Sequence, residues 1–158
     1  MPTVGFAKHD HSMCITQVVR EVEAKCAAAR LQLTPVRRRV LEILLRGHQA
    51  MGAYDILDVL RREGLGSQPP VAYRALDFLV KHGFAHKIEK LNAFVACIHP
   101  GEDHAPAFLI CRDCNGVAEA QGARVALDES TRDTGFSIES TTIEFEGLCP
   151  NCQTGPAT

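Results

Sequence analysis

The chain has 158 residues, 46% of them hydrophobic, with a formal net charge of −2. That length holds one domain or two small ones. No apolar run approaches the roughly 18 residues of a membrane span, and "MPTVGFAKHDHSMC" has no basic start followed by an apolar stretch, so the expectation is a cytoplasmic protein without signal peptide or membrane partner.

The net charge hides a split. Residues 1–98 carry 14 Lys+Arg against 9 Asp+Glu, and residues 99–158 carry 3 against 10, so a +5 half joins a −7 half. Only the first half is suited to a polyanion, although chance variation between two domains gives the same numbers. Seven cysteines in a reducing compartment argue for metal or redox chemistry, and an odd count excludes full pairing.

Residues 1–14 read as a flexible arm. Val18, Val19, Val22, Cys26 and Ala29 recur at helical spacing and predict a helix from about Ile15 to Arg30, with Cys26 as packing. "LTPVRRRVLEILLRG" is the clearest helix, with Thr34 as N-cap, Pro35 at N1 and Gly47 as terminator. A third helix fits Ala53 to Glu63, ended by "GLGSQPP". A fourth runs from Pro69 or Pro70 to Gly83. The period then changes: "FAHKIEK" and "AFVACI" read as two strands around a turn at Leu91-Asn92. Helices followed by a hairpin make a winged helix-turn-helix, and the helix before the wing is its recognition helix.

"IHPGEDHAP" reads as a linker. Beyond it come strands at "AFLIC" and "GVAEA", a short helix over 123–132, and one strand or two in "FSIESTTIEFEGLC". The class is α+β, with a winged helix over 1–97, a hinge over 98–105 and a small domain over 106–158. So short a second domain buries too little apolar surface alone and needs a metal, a partner subunit or both.

"CRDC" is Cys111-x-x-Cys114 and "CPNC" is Cys149-x-x-Cys152. Each pair offers two thiolates from one tight turn, and two pairs complete a Cys₄ structural zinc site. The 34 residues between them exceed a zinc ribbon's spacing and leave room for a helix and a hairpin that bring the chain back. A redox reading of CxxC needs a thioredoxin-like βαβ layout, which the sequence lacks. Four thiolates close the coordination sphere, so this ion is neither sensor nor catalyst. Yet "VACIHPGEDH" supplies a further cysteine and two histidines just upstream.

"LTPVRRRVLEIL", "AYDILDVLRR", "PPVAYRALDFLVKHGFAHKIE" and "FLICRDCNGVAE", with the late CPNC pair, resemble the Fur superfamily of metal-dependent repressors, and are closest to its zinc uptake regulator branch. The resemblance covers roughly residues 15–152. It implies a homodimer, two zinc ions per subunit, and a double-stranded DNA operator that is an AT-rich inverted repeat. No small molecule other than zinc is implied. Carried over where this sequence matches, the sensing ligands are His86, Cys97, His104 and Glu119. Two imidazoles, one thiolate and one carboxylate also suit tetrahedral zinc on chemical grounds, and the thiolate disfavours manganese and ferrous iron. His99 competes with His104 or serves a weaker site. His9, Asp10, His11 and Cys14 make a conceivable metal-grabbing arm.

For DNA, Arg74 is the expected base reader and Tyr73 a phosphate or thymine-methyl contact, both early in the recognition helix. Outward members of Arg37, Arg38 and Arg39 would neutralise phosphate. Tyr54 reaches DNA or packs in the core. Val71 and Ala72 depart from the family, which commonly has threonine and a β-branched residue there. Asp58 and Arg61 form an ordinary intrahelical pair or, as the resemblance implies, link neighbouring dimers. The rival readings are an iron, manganese or peroxide sensor of the same superfamily, a zinc enzyme using Glu119 as base, and a metal-independent DNA-binding module.

Overall fold

In the computed structural model, which describes residues 11–47, 49–98, 100, 107–120, 132–139 and 141–153, four helices are followed by a hairpin and a three-stranded sheet. The helices are α1 (His11–Ala28), α2 (Pro35–Leu45), α3 (Ala53–Arg62) and α4 (Pro69–Lys81). The start of α1 corrects the expected arm: no Gly or Pro interrupts residues 11–28, and the Thr16 hydroxyl donates to the Ser12 carbonyl at 3.0 Å within the first turns. The helix therefore propagates four residues earlier than its apolar stripe suggests.

Thr34 caps α2, its hydroxyl accepting the Arg37 amide at 3.3 Å. Gly83 ends α4 at φ 75°, where the Gly83 amide donates to Val80 and the Phe84 amide to Leu79. That double bond is a Schellman stop, and it turns the chain directly into the wing. Gly64, at φ 72°, ends α3 in the same way. Val19, Val22, Cys26, Val40, Leu41, Leu44, Ile56, Leu57, Leu60, Leu76 and Leu79 form one core among the helices. Cys26 packs there as expected, 2% exposed.

The wing is β1 (Ala85–Ile88) paired antiparallel with β2 (Ala93–Ala96). Met51 adds an edge to it, exchanging backbone hydrogen bonds with Phe94 at 2.9 and 2.8 Å. The second sheet has order β4-β3-β5, with β3 (Ala107–Cys111) antiparallel to β4 (Val117–Ala120) and parallel to β5 (Ile143–Gly147). Of the stretch left open as one strand or two, residues 143–147 form a strand and 136–139 do not. The short helix α5 (Pro150–Gln153) carries the last cysteine. The helix expected over 123–132 lies, except for Arg132, outside the described residues. So do most of the hinge, His99 and His104, and the side chains of the arm's proposed ligands.

The two sheets meet through Ile88, Phe108, Ile110 and Val117, joined by Ala50, Leu91 and Val95. Side chains alternate across a strand, so Phe108 and Ile110 face the wing while Leu109 and Phe145 face away. Phe145 is 50% exposed on that outer face, and Leu148 borders it.

Candidate metal centres and nucleic-acid interface

The four sulfurs of Cys111, Cys114, Cys149 and Cys152 lie within 4.8 Å of one another. Cys111 ends β3 and Cys114 follows in the turn, while the Arg112 amide donates to the Gly147 carbonyl and brings β5's exit alongside. Cys114 Sγ and Cys149 Sγ are 3.9 Å apart. Zinc–sulfur bonds of about 2.3 Å at tetrahedral angles place sulfurs about 3.8 Å apart. A disulfide is about 2.0 Å, so this spacing fits a metal cage and not a bridge.

The amides of Cys114 and Cys149 hold the Cys111 thiol down to about 6. Cys152 is pushed up by its contact with the Cys149 thiol and by burial. Cys114 is also raised: the Gly116 amide favours its thiolate, but burial and the neighbouring thiols outweigh that. These opposed shifts follow from thiols crowded into one small volume.

A second group joins His86 of β1, Cys97 just beyond β2 and Glu119 of β4, again within 4.8 Å. Cys97 is fully buried, its amide donating to the Phe84 carbonyl at 3.0 Å. The side chains of His86 and Glu119 are 13% and 5% exposed, with Nε2 and Oε1 3.9 Å apart. The His86 ring also packs on Phe108, centroids 5.3 Å apart. Nitrogen, sulfur and oxygen donors within this span fit a tetrahedral ion whose fourth ligand comes from elsewhere. His104, the fourth expected member, lies outside the described residues. Two of the three donors belong to the wing and one to the second sheet.

The outer face of α4 presents Tyr73, Arg74, Asp77 and Lys81 to solvent, while Ala72, Ala75, Leu76 and Leu79 face the core. Tyr54 is 64% exposed, so it is not a core tyrosine. The arginines of α2 are occupied within the fold. The Arg37 guanidinium lies 4.0 Å over the Phe78 ring and donates to the Gln32 carbonyl. Arg38 pairs with Glu23 and Glu42. Arg39 bonds Glu63 at 2.5–3.0 Å and Glu42 at 2.9 Å, pinning α2 to the end of α3. Asp58 and Arg61 pair at 3.4 Å within α3, and Arg61 also donates to the Ser67 carbonyl.

The zinc uptake regulation protein of Escherichia coli (strain K12) is 37% identical over 139 residues, 86% of this chain and 81% of that protein. The chain belongs to the zinc uptake regulator family. No protein-family model matches it. Among solved structures, a zinc uptake regulator complexed with zinc and DNA is 35% identical, with TM-score 0.74 over 88% of this chain and 95% of that one. Holo XcZur is 37% identical, with TM-score 0.75 over 88% and 99%. Apo XcZur, at 38% identity and 89% and 98% coverage, reaches only 0.50. This zinc uptake regulator family member thus superposes more fully on the holo than on the apo structure of that relative. The family also settles the fold class: a winged helix-turn-helix followed by a small α/β dimerisation domain.

Proposed function

We propose that this chain is a cytoplasmic, zinc-responsive transcriptional repressor of zinc-uptake genes, acting as a homodimer on an AT-rich inverted repeat. The observation that carries the reading is the convergence of His86, Cys97 and Glu119 from two domains onto one small volume. On this reading residues 1–97, including the arm, are the DNA-binding domain, 98–105 the hinge and 106–158 the dimerisation domain. Cys111, Cys114, Cys149 and Cys152 hold one zinc. His86, Cys97, His104 and Glu119 hold the second, so each subunit takes two.

When bound, zinc supplies a centre that draws these donors into one fixed geometry. His86 and Cys97 move with the wing, while Glu119 moves with the sheet. The set is therefore complete in one domain orientation, and an ion that prefers that orientation shifts the population toward it. Swinging an equilibrium from 1:99 to 99:1 takes about 5.5 kcal/mol of differential binding. The orientation sets the spacing of two α4 helices in successive major grooves. Arg74 reads a base edge, Tyr73 and Tyr54 contact the backbone or a methyl group, and Arg38, whose side chain is 51% exposed, exchanges Glu23 and Glu42 for phosphate. Arg37 and Arg39 are better placed to shape α2 than to leave their partners for phosphate. Asp58 and Arg61, exposed on α3, would exchange partners between dimers adjacent on DNA. The buried thiolate favours zinc over iron or manganese, and the exposed α4 surface gives this chain the work of a regulator rather than an enzyme.

The test is operator binding against buffered free zinc for the wild type and Cys97→Ser. We expect steep zinc dependence in the wild type and its loss in the variant, with the dimer and Cys₄ zinc retained. Zinc-independent binding by both proteins would overturn the reading.

A further inference from the structure

Register across the second sheet aligns Glu119 of β4, Phe108 of β3 and Glu144 of β5 in one row. The wing lies over that row. His86 meets Glu119 at one end, and Ile88 packs with Phe108 in the middle. At the other end the amides of Glu89 and Lys90, in the wing turn, donate to the two oxygens of the Glu144 carboxylate at 2.7 and 3.2 Å. The Lys90 ammonium pairs with Glu146, two residues further along β5. One end of the hairpin is held by candidate metal ligands and the other by a carboxylate that needs no metal.

We propose that Glu144 is a positioning residue for the zinc response: it clamps the wing turn to the dimerisation sheet and fixes the orientation that the sensing ligands complete. The proposal rests on the sensing role given above to His86, Cys97 and Glu119. Two successive backbone amides converging on one anion form a small anion seat, and charge-assisted bonds of this kind are the stronger class. Glu89 lies three residue steps beyond His86, about 10 Å along the extended chain. A hairpin held only at His86 pivots about that point. A hairpin held at both ends of this span does not. Free energy that the clamp adds to the closed arrangement raises the zinc-competent fraction and lowers the free zinc needed for half-response.

The experiment uses the full-length dimer carrying Glu144→Ala, Glu144→Gln or Lys90→Ala, with zinc buffered alone as the probe. Hydrogen exchange at Glu89 and Lys90 should quicken on the order of tenfold in Glu144→Ala, while the Met51–Phe94 amides keep their protection. The zinc midpoint for operator binding should rise about three- to tenfold, with Glu144→Gln between. Lys90→Ala, which loses only an exposed pair, should move it less than about twofold. Unchanged exchange at both amides overturns the proposal, as does a released turn with an unchanged midpoint. If Glu144→Ala loses its dimer or Cys₄ zinc, Glu144→Gln carries the same two readouts. Zinc-independent operator binding by the wild type would overturn the sensing reading, and with it the role of Glu144 in zinc response. The exchange result still reports separately whether the clamp exists.

Discussion

Glu119→Gln separates binding of the sensing ion from response to it. Glu119 is the one candidate donor that the described part of the dimerisation sheet contributes, and its side chain is 5% exposed. An amide keeps the size and shape but offers zinc a weak neutral oxygen in place of an anion. On the proposed ligand set, His86 and Cys97 stay together on the wing and His104 sits on the hinge next to it, so an ion held without Glu119 has no ligand from the dimerisation sheet and binds both domain orientations nearly equally. A ligand with equal affinity for two states shifts nothing, however tightly it binds. Swinging a two-state equilibrium from 1:99 to 99:1 takes about 5.5 kcal/mol, a factor of about 10⁴. In Glu119→Gln the ratio of operator affinities with and without zinc should collapse to within about threefold, since the differential term is gone. Fluorescence anisotropy on the operator at buffered zinc measures that ratio, and competition with a chelating dye measures residual zinc affinity. A variant that keeps the wild-type ratio would show that orientation is not read through Glu119.

Removing a cage ligand should do something different: Cys149→Ser loses binding energy on the order of 10 kcal/mol from a domain with little core, so its sheet signal in circular dichroism and its dimer should both disappear. The proposed homodimer needs an apolar contact surface, for which the outer face of the sheet, with Phe145 50% exposed, is the candidate, and Phe145→Asp should give a monomer in sedimentation velocity that retains its Cys₄ zinc. Arg39 holds the Glu63 carboxyl below the ordinary carboxylate range. That contribution is fully present above about pH 4.5 and is lost as pH falls through the lowered folded value. Arg39→Met should therefore flatten the acid limb of a melting-temperature profile between pH 3 and 6, and an unchanged limb would contradict the pair's role.

What the sequence made legible follows the range of the forces involved. The CxxC pairs are local, and each places its own sulfurs. Thr34, Gly64 and Gly83 mark helix ends through bonds spanning a few residues, and the helices stop where those residues say. The sensing group is not local, because it draws on β1, the exit of β2 and β4. It was reachable through family spacing and not through periodicity. Arg39 reads as a phosphate contact because its partner Glu63 stands 24 positions away. The Glu144 clamp was invisible for the same reason: it depends on the parallel pairing of β3 with β5, and no short pattern states which distant strand will lie alongside. Tyr54 was ambiguous because its ring suits a core or a surface equally, and only the direction of α3 decides.

The two soft-ligand sites differ in what they ask of the chain, and that difference can make one ion permanent and the other responsive. The cysteine cage joins the end of β3 to the turn after β5, and both belong to one sheet that parallel pairing already holds in register. Its donors need no domain movement to assemble, so almost all of the binding energy is expressed as affinity. The sensing group spans the junction. Its apparent affinity is the intrinsic value reduced by the fraction of molecules whose domains are already closed. On the proposed ligand sets the two affinities differ for two reasons: four thiolates against two imidazoles, one thiolate and one carboxylate, and domain closure, which acts on the second site alone. Packing of Ile88 on Phe108 and the bond from Gln49 Nε2 to the Cys114 carbonyl at 3.1 Å both add to closure without touching zinc. Weakening either should raise the zinc concentration at which the response begins while leaving the cage filled. A repressor of this design can change its set-point through substitutions at the junction and keep every ligand unchanged.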